Sequence, residues 1–193
     1  MKKNTVLAAS ILGLSLIVAG CGTAAKPETA AAPKTTASKT PINVTKNQVI
    51  DPSNQYSGTD NLNKMEALAK ANPKSSVVQI NAGMSAYSNK EYTKAIEYYN
   101  NAIKINPKDG VAYNNIGNVY FRGLNKPQEA LAYYEKATQI EPSYNYGWLN
   151  LALCQQKLGN IAGAKTTIAQ GLKELPGNDP IAVSLKQLQA KIK

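Results

Sequence analysis

The residue type most often used for acid/base chemistry is missing: there is no histidine among the 193 residues. That excludes His-based triads, HExxH zinc sites and His-relayed proton transfer near neutral pH. The 12 acidic residues are scattered without a constellation, and Glu91, Glu97, Glu129 and Glu135 read as solvated helix faces. Asp51-Pro52-Ser53-Asn54 lacks the glycine and the closing glutamate of a calcium loop. Phosphate-binding and dinucleotide glycine motifs are likewise missing. What does recur is an amide: Asn81, Asn115 and Asn150 stand at nearly equal intervals. An amide both donates and accepts, so the chemistry it offers is recognition. The chain is therefore expected not to be an enzyme, and to need no metal, cofactor or small-molecule substrate.

The asparagine spacing is also the spacing of the elements that must carry it. Pro107, Pro142 and Pro176 keep the same interval, and small residues precede each at matching distances: Ala95 and Ala102, Ala130 and Ala137, Ala164 and Gly171. Tyr99, Tyr134 and Ile168 follow the first small residue of each set by four. In the front half of each unit stand Gln79, Ala82, Gly83 and Ala86, then Tyr113, Ile116, Gly117 and Tyr120, then Trp148, Leu151, Ala152 and Gln155. The small residues let two helices approach, the large ones fill the space left, and each proline ends the second helix.

This pattern resembles the tetratricopeptide repeat, a helix-turn-helix unit of about 34 residues. The resemblance implies an all-α, right-handed α-solenoid of about three units, over residues 76–109, 110–144 and 145–178. A half-repeat would precede them, with Asp60, Leu62, Met65, Leu68 and Ala69 ahead of Pro73. A capping helix over 179–193 would close the other end, starting at Asp179-Pro180 and turning Ile181, Leu185, Leu188 and Ile192 inward. The repeat domain thus spans 59–193. One inserted residue in the middle unit is expected in the turn Gly123-Leu124-Asn125-Lys126-Pro127. The leading helix of the first unit, with Gln79, Ala82 and Ala86 at positions that favour large residues, is expected to pack least well.

By the same resemblance a concave groove forms from the first helix of each unit and takes a peptide segment. Its lining is expected to include Ile80, Asn81, Met84 and Tyr87, then Asn114, Asn115, Asn118, Phe121 and Arg122. Tyr146, Leu149, Asn150 and Leu153 complete it. In some relatives an equivalent asparagine row binds peptide backbone; such a row also serves as a contact between helices, and both roles stay open here. The carboxylate clamp of chaperone-binding relatives is not reproduced. Ile80, Met84, Tyr146 and Asn150 stand where it needs Lys, Asn, Lys and Arg, and only Asn115 agrees.

Residues 1–20 read as an export signal, with Lys2 and Lys3 before an apolar stretch too short to span a bilayer comfortably. It ends in Val18-Ala19-Gly20-Cys21, which resembles the bacterial lipobox. The resemblance implies cleavage before Cys21 and a covalent lipid on that residue, two or more acyl chains being enough for stable anchoring. Cys154 would then have no partner for an intramolecular disulfide and reads as a small buried hydrophobe. Residues 21–58, poor in aromatic residues and rich in Ala, Thr, Pro and Lys, read as a flexible tether with a span of roughly 30 to 40 Å. Losing Lys2 and Lys3 with the signal lowers the net charge from +10 to +8. Arg122 is the only arginine, which argues against nucleic acid despite the basic balance.

The expectation is an exported protein, lipid-anchored to the cell membrane or outer membrane, that acts as an adaptor for a protein or peptide partner. The alternative is an assembly factor for an envelope complex, acting through its convex face or through oligomerisation.

Overall fold

The computed structural model describes residues 55–192. The expected export signal, Cys21 and most of the expected tether lie outside the described residues. Within them run eight α-helices: α1 Thr59–Ala71, α2 Ser76–Ser88, α3 Tyr92–Ile105, α4 Gly110–Asn118, α5 Pro127–Ile140, α6 Asn145–Lys157, α7 Ile161–Glu174 and α8 Pro180–Lys191. A π-helical turn, Val119–Gly123, continues α4. The described residues contain no strand.

The helices pair as hairpins, α2 with α3, α4 with α5 and α6 with α7. Helix α1 packs on α2, α3 on α4 and α5 on α6, while α8 covers α6 and α7. This is the expected α-solenoid, with α1 as the half-repeat and α8 as the cap. Several starts are fixed by side-chain caps: Ser75 Oγ accepts from Val78 N, Asp109 Oδ1 from Val111 N and Asp179 Oδ1 from Ile181 N. Glu141, at the end of α5, accepts from Gly110 N at 3.0 Å, so one hairpin's C-terminus caps the leading helix of its own unit.

The glycines act as the sequence suggests. A Cβ on Gly83 would stand 2.5 Å from the ring of Tyr99, and one on Gly117 would stand 2.6 Å from the ring of Tyr134. Each ring therefore occupies the place a side chain would take, and both tyrosines are fully buried. In the third unit the pair is Ala152 with Ile168, where a smaller residue on the second helix leaves room for the methyl group.

The small residues of helix α2 are covered: Ala82 and Ala86 are wholly buried, and Met65 and Ala69 of α1 close over Ala82. Gln79 is buried as well and donates to the Ala69 carbonyl, so an amide does what an aromatic ring does elsewhere. The extra residue of the middle unit is not taken up in the turn after Gly123. It widens the last turn of the leading helix, where Leu124 N bonds to Val119 O in place of the usual carbonyl one residue later. The left-handed residue of each turn keeps its place, Lys90, Asn125 and Gly159 in the three units.

Candidate groove and its polar seams

The residues expected along the groove fall into three groups. Ile80 and Met84 are buried in the hydrophobic cluster of the first hairpin. The five amides Asn81, Asn114, Asn115, Asn118 and Asn150 are buried between or beneath helices. Accessible surface is left on Tyr87, Phe121, Tyr146, Leu149 and Leu153, all half-buried, and on the exposed Arg122. Phe121 meets the ring of Tyr134 edge-on at 6.1 Å, and Tyr87 leans on Tyr92 at 5.8 Å. Their orientation is thereby set by the second helices.

Four groups form one chain of hydrogen bonds across the seam between the second and third units. Arg122 Nη2 donates to Asn150 Oδ1 at 3.1 Å, Asn150 Nδ2 to Asn114 Oδ1 at 2.9 Å, and Asn114 Nδ2 to the Tyr144 hydroxyl at 3.2 Å. Both ends of the Asn150 amide are committed to the preceding unit. Burial raises the Tyr144 phenol well above its ordinary pKa, so it stays a neutral partner in this chain.

The seam one unit earlier has the same backbone plan and different side chains. Asn115 corresponds to Asn150, but Ile80 stands where Asn114 would be and Ser88 where Arg122 would be. Both amide atoms of Asn115 and the Ser88 hydroxyl are buried without a partner. Helices α2 and α4 also touch less than α4 and α6 do. Asn81, the first of the row, accepts from the Tyr56 hydroxyl at 3.4 Å.

Tyr56 was not anticipated. It lies in the stretch read as tether, yet it is only 3% exposed and belongs to the cluster of Ile80 and Met84. Tyr56 and Gly58, expected as the end of the tether, therefore belong to the packed domain. The signal available was that Tyr56 is the one aromatic residue between Cys21 and Gly58. Ser85, Asn89 and Tyr144 were also missed, because each acts through a residue in another element.

Cys154 is fully buried, donates to the Pro127 carbonyl at 3.2 Å and is held to about pKa 11 by burial. A thiol so placed is a core residue and not a nucleophile. Among the described residues no group of three His, Cys, Asp or Glu could hold a metal, and no helix is long and apolar enough to cross a membrane.

Comparison with known proteins agrees with this geometry. A family model described as TPR repeat matches residues 83–123, and one described as tetratricopeptide repeat matches 121–192. The chain is 29% identical over 109 residues to Protein STIP1 homolog of Dictyostelium discoideum, covering 56% of this chain and 19% of that one. It is 29% identical over 114 residues to the peroxisomal targeting signal receptor of Kluyveromyces lactis, with 59% of this chain and 19% of the receptor covered. The chain thus spans about a fifth of the length of these relatives. Among solved structures, a thermophilic TPR protein of Thermus thermophilus superposes with a TM-score of 0.59 at 16% identity, covering 69% of this chain and 72% of that one. MamA protein gives 0.53 at 21%, covering 60% and 62%. Repeat models of the tetratricopeptide type thus match within residues 83–192, and the helical hairpins of residues 76–178 stack as an α-solenoid like that of the TPR structures, between a half-repeat and a capping helix.

Proposed function

We propose that this protein is a non-enzymatic adaptor whose groove binds a peptide segment of a protein partner, and that a lipid on Cys21 holds it at a membrane of the bacterial envelope. The observation that carries the groove reading is the row of half-buried apolar side chains running over all three hairpins: Tyr87, then Phe121, then Tyr146, Leu149 and Leu153, beside the exposed guanidinium of Arg122. Apolar anchors in line, with a polar group beside them, suit an extended or helical segment. Asn115 adds an unspent donor and acceptor in the looser seam. A ligand reaches it only if α2 and α4 part. The relatives support the same class of function, one being named as a receptor for a targeting signal. The anchoring rests on the lipobox resemblance alone, and it makes the partner an envelope protein.

The test is a photo-crosslinking amino acid placed at Leu149, or at the exposed Gln170 of α7, in the full-length protein in its native membrane. Crosslinks to one partner from Leu149 and none from Gln170 support the groove. The reverse pattern overturns it in favour of binding through the outer face. Metabolic labelling with a fatty acid, lost in Cys21→Ser, tests the anchor; label retained in that variant overturns it.

A further inference from the structure

The chain already seats one of its own segments, Gln55–Gly58, on α2 as a ligand would be seated. The Tyr56 carbonyl accepts from Ser85 Oγ at 2.8 Å and from Asn89 Nδ2 at 3.2 Å. Asn89 Oδ1 in turn accepts from Gly58 N at 3.0 Å. One side-chain amide thus holds a carbonyl and, two residues on, an N–H, its donor and its acceptor both spent on a backbone that turns at Gln55–Tyr56 and takes φ +90° at Gly58. The Tyr56 hydroxyl turns to Asn81, and its ring joins Ile80 and Met84.

The three receiving groups, Asn81, Ser85 and Asn89, are spaced at i, i+4 and i+8 and form one stripe along α2 and onto its C-terminal cap. The stripe is particular to that helix. Its counterparts are Asn115, Val119 and Leu124 in the second unit and Asn150, Cys154 and Leu158 in the third, where only the first position is polar enough to hold a backbone. The unit that meets the segment is the unit that carries the hydroxyl and the second amide. These contacts also explain why Ile80 and Met84, expected as open lining, are covered.

We propose that the Asn81–Ser85–Asn89 stripe is a peptide site that reads backbone through Ser85 and Asn89 and a tyrosine hydroxyl through Asn81. Its resident occupant is the chain's own Gln55–Gly58, and its exchangeable ligand is a segment of the same turned conformation, with a tyrosine followed two residues on by a glycine that takes the positive φ without strain. The resident holds its seat through an effective concentration on the order of millimolar, which a tethered segment enjoys without tight contacts. A partner carrying the same chemistry displaces it and gains the rest of the groove. Displacement by a partner rests on the peptide-binding reading proposed above; occupation by Gln55–Gly58 does not.

The probe is a fluorescent peptide with the sequence of residues 50–58, titrated by anisotropy into the full-length protein. Binding to Tyr56→Ala at least tenfold tighter than to the wild type, and lost again when Ser85→Ala and Asn89→Ala are added, is the expected result. Equal binding to wild type and Tyr56→Ala, or binding indifferent to Ser85 and Asn89, overturns the proposal. Because Tyr56→Ala removes a buried ring, hydrogen exchange on the wild type provides the check that needs no variant. The Gly58 amide should exchange at least tenfold faster with saturating peptide, and an unchanged rate overturns the exchange. Should the peptide behave as expected while the Leu149 crosslinker captures nothing, the resident site stands and the partner reading of the groove falls.

Discussion

The hydroxyl of Tyr134 donates to Oδ1 of Asn118 at 2.9 Å, one residue beyond the glycine its ring covers. Tyr99 covers Gly83 in the same way one unit earlier, but the next residue there is Met84, a poor acceptor, and the Tyr99 hydroxyl is buried with no partner. Two side chains that cover equivalent glycines thus differ in whether their polar atom is satisfied. A buried hydroxyl without a bond costs about 1–3 kcal/mol, and a satisfied one contributes about 1 kcal/mol. Tyr99→Phe should therefore leave stability unchanged or raise it by about 1 kcal/mol. Tyr134→Phe should lower it by about 1 kcal/mol or somewhat more, since it strands Asn118. Urea unfolding followed by circular dichroism separates the two, and equal losses from both would contradict the contrast.

Lys90 holds φ at +63° in the turn between α2 and α3, where Gly159 holds +77° in the third unit. A left-handed backbone costs a residue with a Cβ about 1 kcal/mol or more, and glycine almost nothing. Lys90→Gly should raise the unfolding free energy by about 0.5–1 kcal/mol, while Gly159→Ala should lower it by about 1 kcal/mol. Thermal unfolding of the two variants checks the signs, and a Lys90→Gly variant less stable than the wild type would show that the lysine side chain contributes more than its backbone costs.

How much of this was legible follows from where each signal lies. The hairpins were readable because Gly83, Gly117 and Ala152 and the three prolines repeat along the chain, and each acts within its own unit. The π-helical turn was not, since an inserted residue has the same sequence signature wherever the last turn absorbs it. The asparagine row was visible as a row, but the fate of each member depends on residues roughly one repeat earlier: Tyr56 for Asn81, Ile80 and Ser88 for Asn115, Asn114 and Arg122 for Asn150. Spacing alone shows equivalence of backbone and leaves partners undetermined. Tyr56 itself was hidden by the composition around it.

The unequal row makes the three asparagines separable. Asn150→Ala removes both bonds of its amide, stranding the buried Asn114 oxygen and freeing Arg122, and should cost about 2–3 kcal/mol. Asn115 has no bond to lose, so Asn115→Ala should cost less than about 1 kcal/mol, and Asn115→Leu should be neutral or stabilising. Denaturant titration of the single variants at one pH orders them; a cost for Asn115→Ala matching that of Asn150→Ala would mean that an ordered water or another partner completes the first seam.

Alkaline pH should loosen this fold through its buried acids. Burial raises the Cys154 thiol to about pKa 11, and it raises the phenols of Tyr99, Tyr134 and Tyr144 well above their ordinary value. In the unfolded chain these groups lose protons near pH 9 for the thiol and near 10 for the phenols. Above those values the unfolded state binds fewer protons than the native one, so stability falls as pH rises. The contribution is intact below pH 9, starts to erode with the thiol between about 9 and 11, and erodes further as the three phenols join above pH 10. The midpoint of thermal unfolding should thus be level from about pH 7 to 9 and drop steeply by about pH 11. Cys154→Ala should remove the earliest part of that drop and leave the later part. At about pH 8 the same burial should make the native thiol at least tenfold slower to alkylate with iodoacetamide than the unfolded one, and equal rates would place Cys154 at the surface.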